Sequence, residues 1–460
     1  MPLLLRLLLL LGAAAAAAGG GGPAGIQWFV DPMTVQVAHT RRAPFPSSAR
    51  GFDMAESRGG CERQQLWLWS DEANLQGVQL SVSAGVPGTW AYKQQGYVKT
   101  LPSDLYLCTA DVLSGNASAE HQCASGWYPD LLLDAPVGGI PLIEKGVTQP
   151  IMLEVCINRT EAAGNFSGSL QVQGKVAGFE GSTTNFSFSV PLSLEVWPMA
   201  VPEVSDPASF STTFSFGSTG SLWGLQHWYP GLTAAEIWSA WLPFLAKHRI
   251  PGDDLYTQPE PRPIEEMQAL ASSGAKHMNL LYGEAVPNTT DLIARLAPAI
   301  DNLTRLGLAE KAYLYGFDES PLTNATVSKI YERFGEVKKR WPGLRTHATL
   351  NWPELRDDFQ IDVWINEFGQ WGSADHYRDA TQKSEARRRW LAASPPHRTR
   401  SFWWYWCFWN LGSSAAQGHD PAAVLDTFVE RPVIEGRLMY WLAALHAIDG
   451  MLVRPYTTRL

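Results

Sequence analysis

Charge is in short supply in this chain. Lys, Arg, Asp and Glu make up only 18% of its 460 residues, the net charge is −9, and no basic run exceeds the three arginines 387–389. A protein that neutralises a phosphate backbone needs a basic stripe, so nucleic acid is excluded as a partner. No apolar run reaches the ~20 residues that cross a bilayer, so no membrane span is expected in the mature chain. The ten histidines include no H-E-x-x-H and no Cys/His pairing at ligand spacing, which leaves no metal site to expect. G-x-S-x-G and Walker A motifs are absent. The match to G-x-G-x-x-G at Gly20, Gly22 and Gly25 follows no strand and is rejected as a dinucleotide fingerprint. No cofactor is expected.

What is present begins with a leader. Arg6 precedes an apolar block, Leu7 to Leu11 and Ala13 to Ala18, that runs into small residues and glycines. This is the layout of a secretory signal peptide over 1–22, cleaved between Ala18 and Gly25. Sequons at Asn116, Asn158, Asn165, Asn185, Asn288, Asn302 and Asn324 then become glycan acceptors. Four of the five cysteines (Cys61, Cys108, Cys123, Cys156) fall before residue 160 and Cys407 stands alone. In an oxidising lumen the four allow two disulfides in any of three pairings. A secreted or secretory-pathway glycoprotein is the expectation.

Hydrophobic residues reach 45%, enough for two cores. Residues 23–200 are rich in Gly, Ser and Thr with short alternating runs. The clearest is Phe186, Phe188, Val190, Leu192, Leu194 and Val196, a period of two that marks a strand with one buried face. An antiparallel β-sandwich is expected there, with prolines 198, 202 and 207 punctuating a linker. From 205 to 460 strand-like and helix-like segments alternate, the pattern of a parallel α/β domain. Strand candidates lie at 210–216, near Leu255, and at 278–282, 312–317, 346–350, 361–365, 402–407 and 450–453. Eight is the number that closes a TIM-type (β/α)8 barrel. Helix patterns occupy 234–247, 290–306, 325–340 and 432–448.

A barrel carries its reactive groups at the carboxyl ends of its strands. The fourth strand runs directly into Asp318-Glu319-Ser320-Pro321. Adjacent carboxylates repel, which divides them into a proton donor and a charged partner, the division that glycosidic bond cleavage requires. The competing reading makes Asp318 a helix cap and Glu319 a solvated side chain. Other strand ends supply Asn351-Trp352, Trp364, Asn366-Glu367 and the aromatic run 402–409. Sugars present C–H faces that stack on rings and hydroxyls that need amides or carboxylates. Most of the twenty tryptophans are nevertheless expected in the core, and alternation lets only every second ring of 402–409 face inward.

With these residues in place the chain resembles glycoside hydrolase family 123 and its wider relatives. The resemblance rests on Lys247-His248-Arg249-Ile250, Asp253-Asp254-Leu255-Tyr256, the run Tyr313 to Pro321, Ile361-Asp362-Val363-Trp364, Trp404-Tyr405-Trp406-Cys407, Glu430 to Leu438, Trp441 and Asp449-Gly450. It implies an N-terminal sandwich before the barrel and a retaining β-N-acetylgalactosaminidase mechanism in which the substrate's 2-acetamido oxygen attacks the anomeric carbon. Glu319 would be general acid and then base, and Asp318 would orient the acetamide N–H. Asn351, Trp352, Trp364, Tyr405 and Trp406 are the expected sugar contacts, and the partner is a glycan or glycoconjugate. One departure lies at the eighth strand, where Gly450-Met451-Leu452-Val453 runs into Arg454-Pro455-Tyr456. A frayed last strand is expected there. Two other readings stay open: a glycosidase that pairs Glu319 with Glu367, and a carbohydrate-binding protein without catalysis.

Overall fold

The computed structural model describes residues 25–33, positions 37, 40, 41, 43, 44 and 48–50, and then 51–134 save 101–125. It continues over 136–206, 209–215, 231–256, 259–350, 355–367, 387–394, 399–406 and 434–453. The leader, Asn116, Cys108, Cys123 and Cys407 lie outside the described residues. So do Asn351 and Trp352. The chain divides into two compact units, one chiefly before Val201 and one after Pro202.

The first unit is built from two five-stranded sheets. One runs in the order β1 (Ile26–Pro32), β3 (Cys61–Ser70), β8 (Gln149–Cys156), β5 (Thr89–Thr100), β6 (Gly126–Asp134). The other runs β2 (Phe52–Arg58), β10 (Thr183–Ala200), β9 (Gly164–Ala177), β4 (Leu75–Val82), β7 (Ile140–Ile143). The alternation read in β10 holds: Phe186, Val190, Leu192, Leu194 and Val196 are buried and Ser187 and Ser189 exposed. These side chains join Ile26, Leu66, Leu68 and Ile151 of the opposite sheet in one core, the packing of a sandwich. The sandwich is not wholly antiparallel, because β2 pairs with β10 in parallel. Of the three disulfide schemes left open, the structure forms Cys61–Cys156, across directly paired positions of β3 and β8.

The second unit holds an eight-stranded parallel sheet. Its strands are β11 (Ser211–Ser215), β12 (Gly252–Asp253), β13 (Met278–Tyr282), β14 (Ala312–Asp318), β15 (Arg345–Thr349), β16 (Val363–Glu367), β17 (Ser401–Trp406) and β18 (Gly450–Val453). Every strand candidate of the sequence has its counterpart. The order β12-β11-β18-β17-β16-β15-β14-β13 is that of a barrel, with first and last strands adjacent. The last strand is not frayed: β18 is laddered to both β11 and β17, and Met451 and Leu452 are buried. Gly450 is required there, since a Cβ would stand 2.5 Å from the Trp403 ring.

Between β12 and β13 no ladder forms among the described residues. Side chains close this seam. The Asn279 amide N–H donates to Asp253 (3.0 Å), and Asn279 Nδ2 donates to the carbonyls of Asp254 and Leu255 (3.0 Å each). Asp253 also accepts the Tyr313 hydroxyl (2.8 Å) and pairs with Arg262 (2.7 Å). Burial alone would lower the Arg262 pKa, but the carboxylates of Asp253 and Asp254 hold it above its ordinary value.

Helices α1 (Ala234–Lys247), α2 (Ile264–Ser272), α3 (Thr289–Arg305), α4 (Asn324–Arg340) and α5 (Ile434–Leu445) connect the strands. The α1 start is a capping box, Thr233 with Glu236, and α3 is capped by Asn288. The α4 cap is Thr323, which removes helix capping as the role of Asp318. No described helix is long and apolar enough to cross a membrane.

Candidate active site

The inner row of the barrel is Tyr313 and Tyr315 on β14, Val363 and Ile365 on β16, Trp403 and Tyr405 on β17 and Leu452 on β18, packed with Leu255. Strict alternation along β14 would point Phe317 inward after Tyr315. The structure does the opposite, because the ladder to β15 slips between Tyr315 and Asp318. Phe317 takes φ 62, turns outward and packs edge-on against Phe334 of α4 at 5.3 Å. Asp318 swings inward as a result. Glu319 is left-handed too, at φ 50, and its amide is held by the Thr349 carbonyl at 2.7 Å. Such conformations cost non-glycine residues about 1–3 kcal/mol each and persist where surrounding contacts over-determine them.

Those contacts are phenols and a third carboxylate. Asp318 accepts the Tyr256 hydroxyl on one oxygen and the Tyr315 hydroxyl on the other, each at 2.6 Å. Tyr315 also meets Thr349 Oγ1 at 2.7 Å. Tyr405 donates to Glu319 Oε1. Glu284, one turn after β13, accepts the Tyr282 hydroxyl (2.9 Å), the Ser320 hydroxyl (3.3 Å) and the Asp318 amide (3.4 Å). Arg333 of α4 donates to the carbonyls of Gly283 and Pro287 and so fixes that turn. The rings of Tyr256, Tyr282 and Tyr315 contact one another with centroids 5.5–6.0 Å apart. Burial, then the Asp318 charge, raises the Tyr315 pKa; burial, then Glu284, raises that of Tyr282. Both phenols therefore stay protonated and act as donors. Asp318 is half-buried and Glu319 exposed at the rim.

The structure brings Asp318, Glu319 and Tyr405 together, and it sends Trp364 elsewhere. Trp364 shares the outward row of β16, fully buried, with its indole N–H on the Leu350 carbonyl (2.9 Å) and its ring against Phe359 and Trp390. That ring packs between sheet and outer layer and is out of reach of a sugar in the barrel. Trp406 stands in the same outward row of β17 as Trp404, which contacts His446. Tyr405, expected to touch sugar, donates to Glu319 from the inward row. Glu367 ends β16 in the inward row, paired in register with Tyr405. Tyr256 and Tyr315 stand in segments that carry the resemblance but were assigned no role in the sequence, and neither were Tyr282 and Glu284. The strand-end rule that found Asp318 applied equally to Tyr282 and Glu284 after β13. No metal-holding cluster occurs among the described residues.

A sandwich followed by a β/α barrel with a carboxylate pair at the end of its fourth strand defines the architectural class of the chain. Within that class it is similar in fold to a family 123 glycoside hydrolase from Clostridium perfringens, whose structure is described in terms of glycolipid glycan hydrolysis. The TM-score is 0.58 at 11% identity, over 94% of this chain and 80% of that one. A β-galactosidase from Bacteroides fragilis (10% identity; 85% and 71% covered) and an FMN-binding β-glucuronidase from Faecalibacterium prausnitzii (12%; 84% and 48%) superpose at TM-scores of 0.29 and 0.25, too loosely to bear on this chain. No protein-family model matches the sequence, and no curated protein matches it.

Proposed function

We infer that the protein is a retaining glycosidase that removes β-linked N-acetylhexosamine, N-acetylgalactosamine foremost, with the substrate's acetamide as nucleophile. The observation that carries this is the unequal setting of the two carboxylates. Asp318 is anchored through both oxygens by phenols, while its neighbour Glu319 stands at the rim, restrained by Tyr405 through one oxygen only. The likeness in fold to a glycan hydrolase supports the reaction class.

The steps follow from those positions. Glu319 gives its proton to the glycosidic oxygen as the C1–O bond breaks and the acetamide oxygen closes on C1. Asp318 accepts the acetamide N–H, orienting the group and offsetting the positive charge of the oxazolinium-like ring. Water then attacks C1, passes its proton to Glu319, and the ring reopens to the acetamide. No enzyme nucleophile is consumed, an exception to the two-carboxylate template. Tyr405 keeps one oxygen of Glu319 occupied so that the other carries the proton. The Cys61–Cys156 bridge supports placing this chemistry in an oxidising secretory lumen.

A second reading is favoured by the inward position of Glu367, which would serve as nucleophile on sugars without an acetamide. The deciding experiment compares aryl β-N-acetylgalactosaminide with aryl β-galactoside for the wild type, Glu319→Gln and Glu367→Ala. Substrate assistance requires the acetamide and is inhibited by its thiazoline analogue. Equal rates on both sugars, or activity lost in Glu367→Ala, would replace it with the second reading. A protein that binds the sugar while wild type and Glu319→Gln turn it over equally slowly is not an enzyme.

A further inference from the structure

The opposite, amino-terminal end of the barrel opens into a cavity of about 790 Å3. Its lining comes from residues at or just before strand starts: Ser211 of β11, His277 before β13, Lys311 before β14, Arg345 of β15 and Ser401 of β17, with Lys276 and Glu310 beside them. None of these groups takes part in the chemistry proposed above.

Cations outnumber acids in the lining of this cavity, Lys276, Lys311, Arg345 and Arg400 against Glu310 and Asp449. Arg345 bonds only to neutral atoms, His277 Nδ1 at 3.2 Å and Ser401 Oγ at 3.1 Å. Lys276 Nζ is likewise held by neutral oxygens, the Ser209 carbonyl (2.6 Å), the Ser209 hydroxyl (2.9 Å) and the Asp206 carbonyl (3.2 Å). Among the described residues neither cation, nor Lys311, has a salt bridge. The acids that line the cavity are Glu310 and Asp449, and Asp449 accepts the Phe402 amide at 2.8 Å while its charge is shared between Arg387 and Arg345. Asp362, which acts on Arg345 without a salt bridge to it, is paired with Lys338, and the Asp206 carboxylate acts on Lys276 without a salt bridge to it.

His277 adds no compensation. Its Nδ1 accepts from Arg345, which leaves the proton on Nε2, facing the Ser211 hydroxyl at 3.4 Å. Burial, then the charges of Arg345 and Lys276, pushes its pKa down to about 3, so it stays neutral. The Arg345 and Lys276 pKa values are themselves lowered, first by burial. A desolvated guanidinium without a directly bonded anion is costly, and its planar fork matches an oxyanion.

We propose that this cavity is a binding site for a small oxyanion-bearing molecule, seated with its phosphate, sulfate or carboxylate group on the Arg345 guanidinium between Lys276 and Lys311. The cavity falls within the size range of small-molecule pockets, so the occupant is a metabolite-sized anion with room beyond its charged group. Because the site lies at the other end of the strands from Asp318 and Glu319, it is separate from sugar turnover.

Calorimetric titration of the full chain with inorganic phosphate, sulfate and malonate, against chloride at equal ionic strength, tests this. Saturable binding of at least one oxyanion is expected, with a rise in melting temperature that follows occupancy, and the ranking of the three identifies the preferred group. Arg345→Gln should weaken that binding by about tenfold or more. Glu310→Gln removes the repelling carboxylate and should tighten it, a change of opposite sign to any loss of folding. Dissociation constants above about 10 mM for all three anions, or affinities unmoved by both variants, overturn the proposal.

Discussion

The two ends of the barrel are furnished with opposite chemistry. At the carboxyl end three carboxylates, Asp318, Glu319 and Glu284, are surrounded by phenol hydroxyls, and two residues are held in a left-handed backbone. At the amino end Arg345, Lys276 and Lys311 gather around neutral imidazole and serine. Left-handed residues other than glycine occur at both ends, Arg249, Gln360 and Ala447 ahead of β12, β16 and β18 and Phe317 and Glu319 at the end of β14, but only at the carboxyl end does one of them carry a carboxylate assigned to chemistry. The contrast predicts that damage to one end shows in turnover and damage to the other in stability and anion affinity.

The largest effect is expected from Glu319→Gln, which should lower kcat/KM on an aryl N-acetylgalactosaminide by about 10²–10⁴-fold with an unchanged melting temperature. Loss of folding in this exposed variant would break the assignment of Glu319 to chemistry. Trp364→Ala should cost about 3–5 kcal/mol in urea denaturation, while the surviving folded fraction keeps its KM. A raised KM at full stability would instead return this ring to the sugar site.

A smaller effect comes from the amino end. His277 has its pKa depressed from 6.5 to about 3, so the unfolded chain binds more protons between those values and stability falls as pH drops from about 6.5 toward 3. Its share at pH 5 is about 2 kcal/mol, and His277→Asn should flatten that part of the melting temperature against pH. The smallest is Tyr256→Phe, which leaves Asp318 with one phenol and should reduce kcat about tenfold, the worth of a hydrogen bond to a charged group. An equal loss on substrates without an acetamide would separate Asp318 from the acetamide.

The strands were legible in the sequence because each apolar run is bounded by turn or helix signals, although the second moved to Gly252–Asp253 ahead of Leu255 and the sixth by two residues to Val363–Glu367. The direction in which strand-end side chains point was less legible. Alternation alone assigns Trp364 and Trp406 to the outward rows, yet strand-end position had made them sugar contacts. At Phe317 alternation itself fails, since the bulge that turns Asp318 inward depends on a pocket made by Phe334, which no spacing in β14 reveals. The two phenols on Asp318 come from the segment after β12 and from β14, and only tertiary structure assembles them.

The seam between β12 and β13 bears on how the chain is made. Parallel strands far apart in sequence are slow to meet, and β11 cannot complete its ladder until β18, the last described strand, has been synthesised. The β13-to-β17 ladder can form earlier, as each strand emerges. Asp253, Asn279 and Arg262, by contrast, are near neighbours in sequence and can latch β12 to β13 without waiting for the rest. The side-chain latch therefore gives the nascent barrel an early local fastening, and leaves the ring to be shut by β18.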